Sequence, residues 1–160
     1  MSAVPHNMVG LVELCDAEEL MDRHGKLGFG DLQRVFQQRL QNWIRARDDW
    51  QQLEDNRFCV TLRGITTRGE LELAAAKLER LFAEPHYHFG KPVDLNIRAG
   101  FTRSTDPEND MEQSLRQAKK ALREARKNKR VYDVYTPEEI IRADAERELL
   151  KQLESAVGAG

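Results

Sequence analysis

Several short stretches of this 160-residue sequence bring together side chains able to do chemistry. The densest is Glu54-Asp55-Asn56-Arg57, set between Gln51, Gln52 and Leu53 on one side and the apolar Phe58, Cys59 and Val60 on the other. Apolar flanks around a charged centre predict a β-hairpin. Short hairpin turns favour residues that tolerate positive φ, with Asn-Gly and Asp-Gly dominating, so a charged turn without glycine raises the question of what its side chains are for. Just upstream, Arg45 and Asp48 stand at an i,i+3 spacing in the run 45–50. A planar guanidinium can pair with a phosphate or another planar anion, while a carboxylate can accept from N–H donors of a ligand. The same spacing at a solvated helix end also makes an ordinary ion pair, and both readings stand. His86 and His88 alternate as metal ligands can, but two imidazoles with no third donor read as a strand pair.

The remaining reactive types read more plainly. Cys15 and Cys59 lie in apolar, strand-like segments, where a small buried hydrophobe is the simpler role than a nucleophile or a disulfide. Lys127, Lys129 and Arg130 read as a solvated surface, and Trp43 and Trp50 as packing residues, with Trp50 also placed to stack on a base beside Arg45 and Asp48. With 40% hydrophobic and 32% charged residues the chain falls in the soluble globular class and is long enough for one domain with a sizeable core. No run approaches the ~18 apolar residues of a membrane span. A formal charge of −2 argues against a surface that wraps a polyanion, despite the basic cluster between Lys119 and Arg130. The first ten residues lack the basic and apolar regions of a secretory signal, so a cytoplasmic location is expected.

The elements that must position these groups follow from periodicity. Residues 8–15 have the β-branched, apolar character of a buried strand, followed by a short helix closed by Gly25. From Gly30 to Arg47, Leu32, Val35, Phe36, Leu40, Trp43 and Ile44 recur at helical spacing and predict a core-facing stripe. Residues 50–65 predict two short strands about a turn, with Phe58, Val60 and Leu62 on one face. Thr67 and Glu70 form a capping box ahead of a helix stopped by Pro85. Val93, Leu95, Ile97 and Ala99 alternate in a strand over 93–102. Asp110 and Gln113 can cap a helix carrying Leu115, Ala118, Leu122 and Ala125, and 130–135 predict a last strand. The order predicts an α+β fold: a central, mostly antiparallel sheet of five to six strands flanked by helices. Thr136, Pro137 and Glu139 then open a final helix with Ile141, Ala145, Leu149, Leu153 and Val157 at four-residue steps. Residues 1–136 are thus expected to form the domain, and 137–160 a connector helix or dimer seam.

From about Met8 to Tyr135, these elements in this order resemble the GGDEF domain of diguanylate cyclases, which joins two GTP molecules into cyclic di-GMP. The resemblance implies the ferredoxin-like, nucleotidyl cyclase-like fold. The family signature sits at the turn of the central hairpin, the place held here by Glu54, Asp55, Asn56, Arg57 and Phe58. Residues 115–126 resemble the family's late helix. Residues 20–25, followed by Gly30 and Asp31, resemble the segment after the first strand where an Asn-Asp pair contacts guanine. Of that pair only Asp22 remains, since Met21 stands where Asn would be, and the spacing from Gly25 to Asp31 is one residue longer than usual.

The resemblance also implies what this chain has lost. Phosphoryl transfer is mainly positioning and charge neutralisation by Mg²⁺ held on carboxylates. The first-strand ligand position is Glu13, and the turn acid is replaced by Arg57, a permanent cation that repels a dication. Asn56 replaces the other signature acid, and Glu54 and Asp55 add side chains where glycines let the backbone approach the nucleotide. Arg126 falls closest to a phosphate-contacting Lys of the family. No metal cofactor is therefore expected to bind, and no cyclic di-GMP to be made; Arg57 binding phosphate directly leaves GTP held without turnover as an alternative. Asp48 precedes Glu54 by the six residues that separate the family's inhibitory-site motif from its signature. That site binds cyclic di-GMP, here through Arg45 and Asp48, with Arg80 as the second arginine from the neighbouring helix. Partners implied are cyclic di-GMP, GTP, an adjacent EAL or sensory domain in a longer chain, and a second copy in a homodimer. A purely structural dimerisation module is the rival reading. Nucleic acid is not expected, because the central strands offer few aromatics, nor is membrane contact by this segment.

Overall fold

The computed structural model describes residues 6–137 and 146–155. Strand β1 (Asn7–Leu14) is buried along its whole length, as its nearly unbroken apolar sequence requires of a central strand. It pairs antiparallel with β3 (Arg57–Leu62) on one side and β6 (Ile97–Ser104) on the other. Strand β2 (Asp49–Glu54) lies outside β3, and β7 (Tyr132–Val134) runs parallel to β6 at the far edge, giving a five-stranded order β2-β3-β1-β6-β7. The expected mostly antiparallel sheet is therefore present. Strands β4 (His86–His88) and β5 (Lys91–Val93) form a separate two-stranded hairpin.

Alternation along β1 divides the core. Met8, Val12 and Leu14 join Phe36, Leu40, Phe58 and Phe82 in the large cluster beneath helices α1 (Ala17–Trp43) and α2 (Arg68–Ala83). Val9 and Leu11 face the other way, packing with Cys59 against Ala118 and Leu122 of helix α3 (Met111–Lys127). Helix α3 lies so close to the sheet that a Cβ on Gly100 would stand 2.3 Å from the Ala118 carbonyl oxygen and from the Leu122 nitrogen.

The short helix expected to close at Gly25 does break there, but the second segment of α1 begins before Gly30, the position where the sequence pattern starts it. Gly25 breaks the helical geometry at φ 73°, ψ 174°, but the helix resumes at once, and residues 26–29 are helical. Burial of Phe29 gives the restart its anchor. The helix ends at Trp43 rather than running to Arg47, because Ile44 is extended and the chain turns into β2. The Trp43 indole donates to the Ala74 carbonyl oxygen at 2.8 Å, tying α1 to α2. The Thr67–Glu70 capping box forms: Thr67 Oγ1 accepts from the Glu70 N–H at 3.2 Å. Asp110, expected to cap α3, makes no side-chain cap bond, and only its carbonyl accepts from the Ser114 N–H. The single strand expected over 93–102 is split, since Val93 pairs with His86 in the hairpin whereas Ile97 pairs with Leu14 in the main sheet.

Residues 146–155 are helical, with Leu149, Leu150 and Leu153 more than half exposed. Thr136 and Pro137 are not helical, while Glu139, Ile141, Ala145 and Val157 lie outside the described residues. Among the described residues no helix is long and apolar enough to cross a membrane.

Candidate functional site

Glu13 lies near the C-terminal end of β1, on the face that α3 covers. Sheet register sets its neighbours: Arg57 of β3 opposite on one side and Arg98 of β6 opposite on the other. Arg57 Nη2 donates to Glu13 Oε1 at 3.1 Å. Arg126, in the last turn of α3, donates through Nε to Oε2 at 3.1 Å and through Nη2 to Oε1. Both oxygens of the carboxylate are thus engaged by two guanidinium groups, and the Glu13 side chain is only 11% exposed. Burial pushes the Glu13 pKa up, but the hydrogen bonds and charges of Arg126 and Arg57 outweigh it and hold the carboxyl below its ordinary value. Glu54 adds a looser pairing to Arg57 at 3.7 Å.

The charged turn has a structural answer to its missing glycines. Among the described residues, the non-glycine residues at positive φ are Asp16, Phe89 and Lys129, so the turn at Asp55 and Asn56 needs no left-handed residue. The β2–β3 pairing shifts register between Gln52 and Glu54, the irregularity that lets such a turn join two twisted strands. Asn56 then stitches the turn to β1: its carbonyl accepts from the Leu14 N–H at 2.8 Å, and its Nδ2 donates to the Leu14 carbonyl oxygen at 3.2 Å. Gln33 of α1 donates to the Asp55 carbonyl oxygen at 2.9 Å.

A cavity of about 680 Å³ opens above Glu13, bordered by Glu18 and Asp22 of α1, Asn56 of the turn, Arg98 and Arg126. The structure therefore brings Glu13, Asp22, Asn56 and Arg126 to one cavity, with Arg57 bonded to Glu13 beside it. Glu54 and Asp55 are exposed and do not border it. Mg²⁺ demands near-octahedral oxygen ligands. Among the described residues no three acidic, histidine or cysteine side chains stand together to hold a metal, and the Glu13 oxygens already accept from arginine. A magnesium ion at Glu13 would have to displace an arginine from one of those oxygens. Arg98 was missed by sequence reasoning; only the register that places it opposite Glu13 marks it.

The second candidate pair lies where α1 turns into β2. Arg45 grips Asp48 as a fork, with Nε to Oδ2 and Nη2 to Oδ1 both at 2.8 Å. The N–H groups of Arg45 and Arg63 each donate to Asp48 at 3.0 Å, and Arg45 Nη2 also reaches the Arg63 carbonyl oxygen at 2.7 Å. Burial raises the Asp48 pKa, but these bonds more than offset it and hold the carboxyl below its ordinary value. The Asp48 side chain is fully buried, whereas Arg45 is 34% exposed. A cleft of about 300 Å³ beside them is bordered by Trp43, Leu73 and Lys77. Arg80, exposed in the last turn of α2, does not border that cleft; Lys77, one turn earlier, does. Trp50 packs its ring 5.5 Å from that of Phe58.

Comparison with known proteins places this geometry. No curated protein matches the sequence. Among solved structures, the chain is similar to an EAL/GGDEF domain protein from M. capsulatus, at 22% identity and TM-score 0.72 over 83% of this chain and 86% of that one. It is also similar to the GGDEF domain of PA1120 (YfiN or TpbB) from Pseudomonas aeruginosa, at 15% identity and TM-score 0.74 over 83% and 84%. A third is the GGDEF domain of DgcB from Caulobacter crescentus in complex with c-di-GMP, at 10% identity and TM-score 0.68 over 82% and 77%. At such identities the likeness establishes the fold. The sequence model described as diguanylate cyclase, GGDEF domain, matches residues 7–131, from the first strand through the ion-paired end of α3, and by that match this chain belongs to the GGDEF family.

Proposed function

We propose that this is a catalytically inactive GGDEF domain serving as a regulatory module in cyclic di-GMP signalling. The observation that carries the reading is the closure of Glu13 by Arg57 and Arg126. A metal would have to displace two hydrogen-bonded guanidinium groups from a largely buried carboxylate and then find further oxygen ligands. Without that metal, the Glu18 and Asp22 carboxylates on the cavity wall repel a triphosphate. Such a domain acts by binding or by conformation, and the similarity to an EAL/GGDEF domain protein supports an adjacent EAL phosphodiesterase domain in a longer, cytoplasmic chain. The exposed leucines of residues 146–155 suit a connector or a dimer seam.

Cyclic di-GMP sensing is the specific form of this role, favoured by the part-exposed Arg45 beside its cleft. Asp48 has no free lone pair to offer without giving up backbone bonds, so recognition falls to Arg45, with Lys77 better placed than Arg80 as the second cation. One set of calorimetric titrations tests both statements. GTP is expected to give the same isotherm with and without Mg²⁺; a metal-dependent heat would remove the inactive reading. Cyclic di-GMP is expected to bind the wild type at least roughly tenfold more tightly than Arg45→Ala, the value of a charge-assisted hydrogen bond. Identical isotherms would leave only the structural dimerisation role.

A further inference from the structure

The hairpin β4–β5 stands apart from the main sheet, and its turn carries a residue that does not suit it. His88 pairs with Lys91, so the loop between the strands is Phe89-Gly90, and both residues have positive φ, 50° and 78°. A two-residue turn of that kind takes Asn-Gly or Gly-Gly by preference, because a side chain as bulky as phenylalanine is strained in the left-handed region. Packing does not compensate, since Phe89 is 90% exposed. Leu27, just past the break in α1 at Gly25, is 88% exposed, and these two are the most exposed large apolar side chains among the described residues. The two positions adjoin. The His88 ring lies 4.5 Å from that of Phe89 and meets the His24 ring edge-on at 5.6 Å, and a Cβ on Gly28 would stand 3.5 Å from His88 Nε2. Tyr87, 65% exposed, adds a third apolar body on the face of β4 opposite His86 and His88.

We propose that the hairpin tip and the Leu27 turn of α1 form a peripheral docking knob for an anionic phospholipid surface. Three projecting apolar side chains fall far short of the roughly 800 Å² that each partner buries in a stable protein interface. A bilayer needs less, because its interface takes up single aromatic and aliphatic side chains while lysines stay among the headgroups. The charges around the tip fit the second case. Lys26 precedes Leu27 and Lys91 follows Gly90, both exposed. Of the nearest carboxylates, Asp31 is paired with Arg34 at 2.8 Å, Asp22 borders the Glu13 cavity, and Glu84 and Asp94 lie beyond the open end of the hairpin. Attraction of the two lysines to anionic lipid adds to the burial of Phe89 and Leu27, and together they make a weak, reversible contact that a second anchor elsewhere would make lasting. Composition predicts no membrane contact, but a knob assembled from residues 27, 87 and 89 leaves no apolar run to read. The contact does not depend on the state of the Glu13 site.

The test is co-sedimentation of the full chain with vesicles of phosphatidylcholine alone, and of phosphatidylcholine with an equal part of phosphatidylglycerol. Binding to the anionic vesicles is expected to be at least roughly fivefold stronger than to the neutral ones. Phe89→Asn and Leu27→Gln should each weaken it roughly tenfold, while Lys120→Ala/Arg123→Ala, on the exposed basic face of α3, should leave it nearly unchanged. Asparagine suits the left-handed turn position, so Phe89→Asn should melt no lower than the wild type, which separates loss of the knob from loss of the fold. Equal binding by the wild type and the Phe89→Asn/Leu27→Gln double variant, no preference for anionic vesicles, or no binding at all would overturn the proposal. So would unbound vesicles together with self-association, read by sedimentation equilibrium, that the double variant abolishes, since the knob would then seat on a second copy.

Discussion

Gly100→Ala should destabilise the domain by about 3 kcal/mol or more, at the upper end of what overpacking a core costs. The added methyl would stand 2.3 Å from the Ala118 carbonyl oxygen and the Leu122 nitrogen, and 2.9 Å from Leu122 Cα. All three are backbone atoms of α3, so no rotamer change can make room. The helix must lift off β1 and β6, loosening Val9, Leu11, Ala118 and Leu122 together. Its C-terminal turn, which carries Arg126 to Glu13, would move with it. Gly69→Ala is the internal control. Gly69 lies in the first turn of α2 with only Thr67 Oγ1 near the added methyl, at 4.0 Å, and alanine there should add about 0.5 kcal/mol by lowering the entropy of the unfolded chain. Urea denaturation reads both, and equal midpoints for wild type and Gly100→Ala would show that α3 does not sit as close to the sheet as described.

Glu13→Gln is the second large effect. It keeps the shape of the side chain but leaves Arg57 and Arg126 facing one another without their shared anion. Breaking a fully buried pair costs about 3–5 kcal/mol, and because the Arg126 side chain is 41% exposed a loss of about 2 kcal/mol is expected here. Arg126→Ala should cost less, since Glu13 keeps Arg57, and the two substitutions should be clearly non-additive in a double-mutant cycle. The same carboxylate carries a pH dependence whose sign is fixed. Its folded pKa lies below the ordinary 4.5, so its stabilisation is complete above that value and is lost as the pH falls through the lower, folded value. In Glu13→Gln the acid limb of the stability profile should flatten; an unchanged limb would mean that the ion pairs contribute nothing.

Local pattern carried most of the fold. The alternation of Phe58, Val60 and Leu62, the helical spacing of Leu32, Phe36 and Leu40, and the Thr67–Glu70 box each depend on neighbours a few residues away. Those elements stand where their sequences place them. The errors arose where a distant partner decides. Val93 and Ile97 belong to one alternating run, yet one pairs with His86 and the other with Leu14. The candidate site shows the same limit. The replacement of the turn acid by Arg57 was visible in sequence, but its pairing with Glu13 spans 44 residues, and Arg126 arrives from 113 residues away. The saturation of Asp48 depends on the Arg63 N–H, a strand-end group with no sequence signal. His24 looked like part of a helix end until the hairpin was folded over it.

The central proposal is that two guanidinium groups hold the carboxylate on which magnesium would have to bind, so that no phosphoryl transfer takes place. Its most direct test is prolonged incubation of the full chain with GTP and Mg²⁺, then with Mn²⁺, followed by chromatographic detection of pppGpG and cyclic di-GMP. Neither product is expected above the protein-free control. Protein-dependent pppGpG that disappears in Glu13→Gln would contradict the proposal.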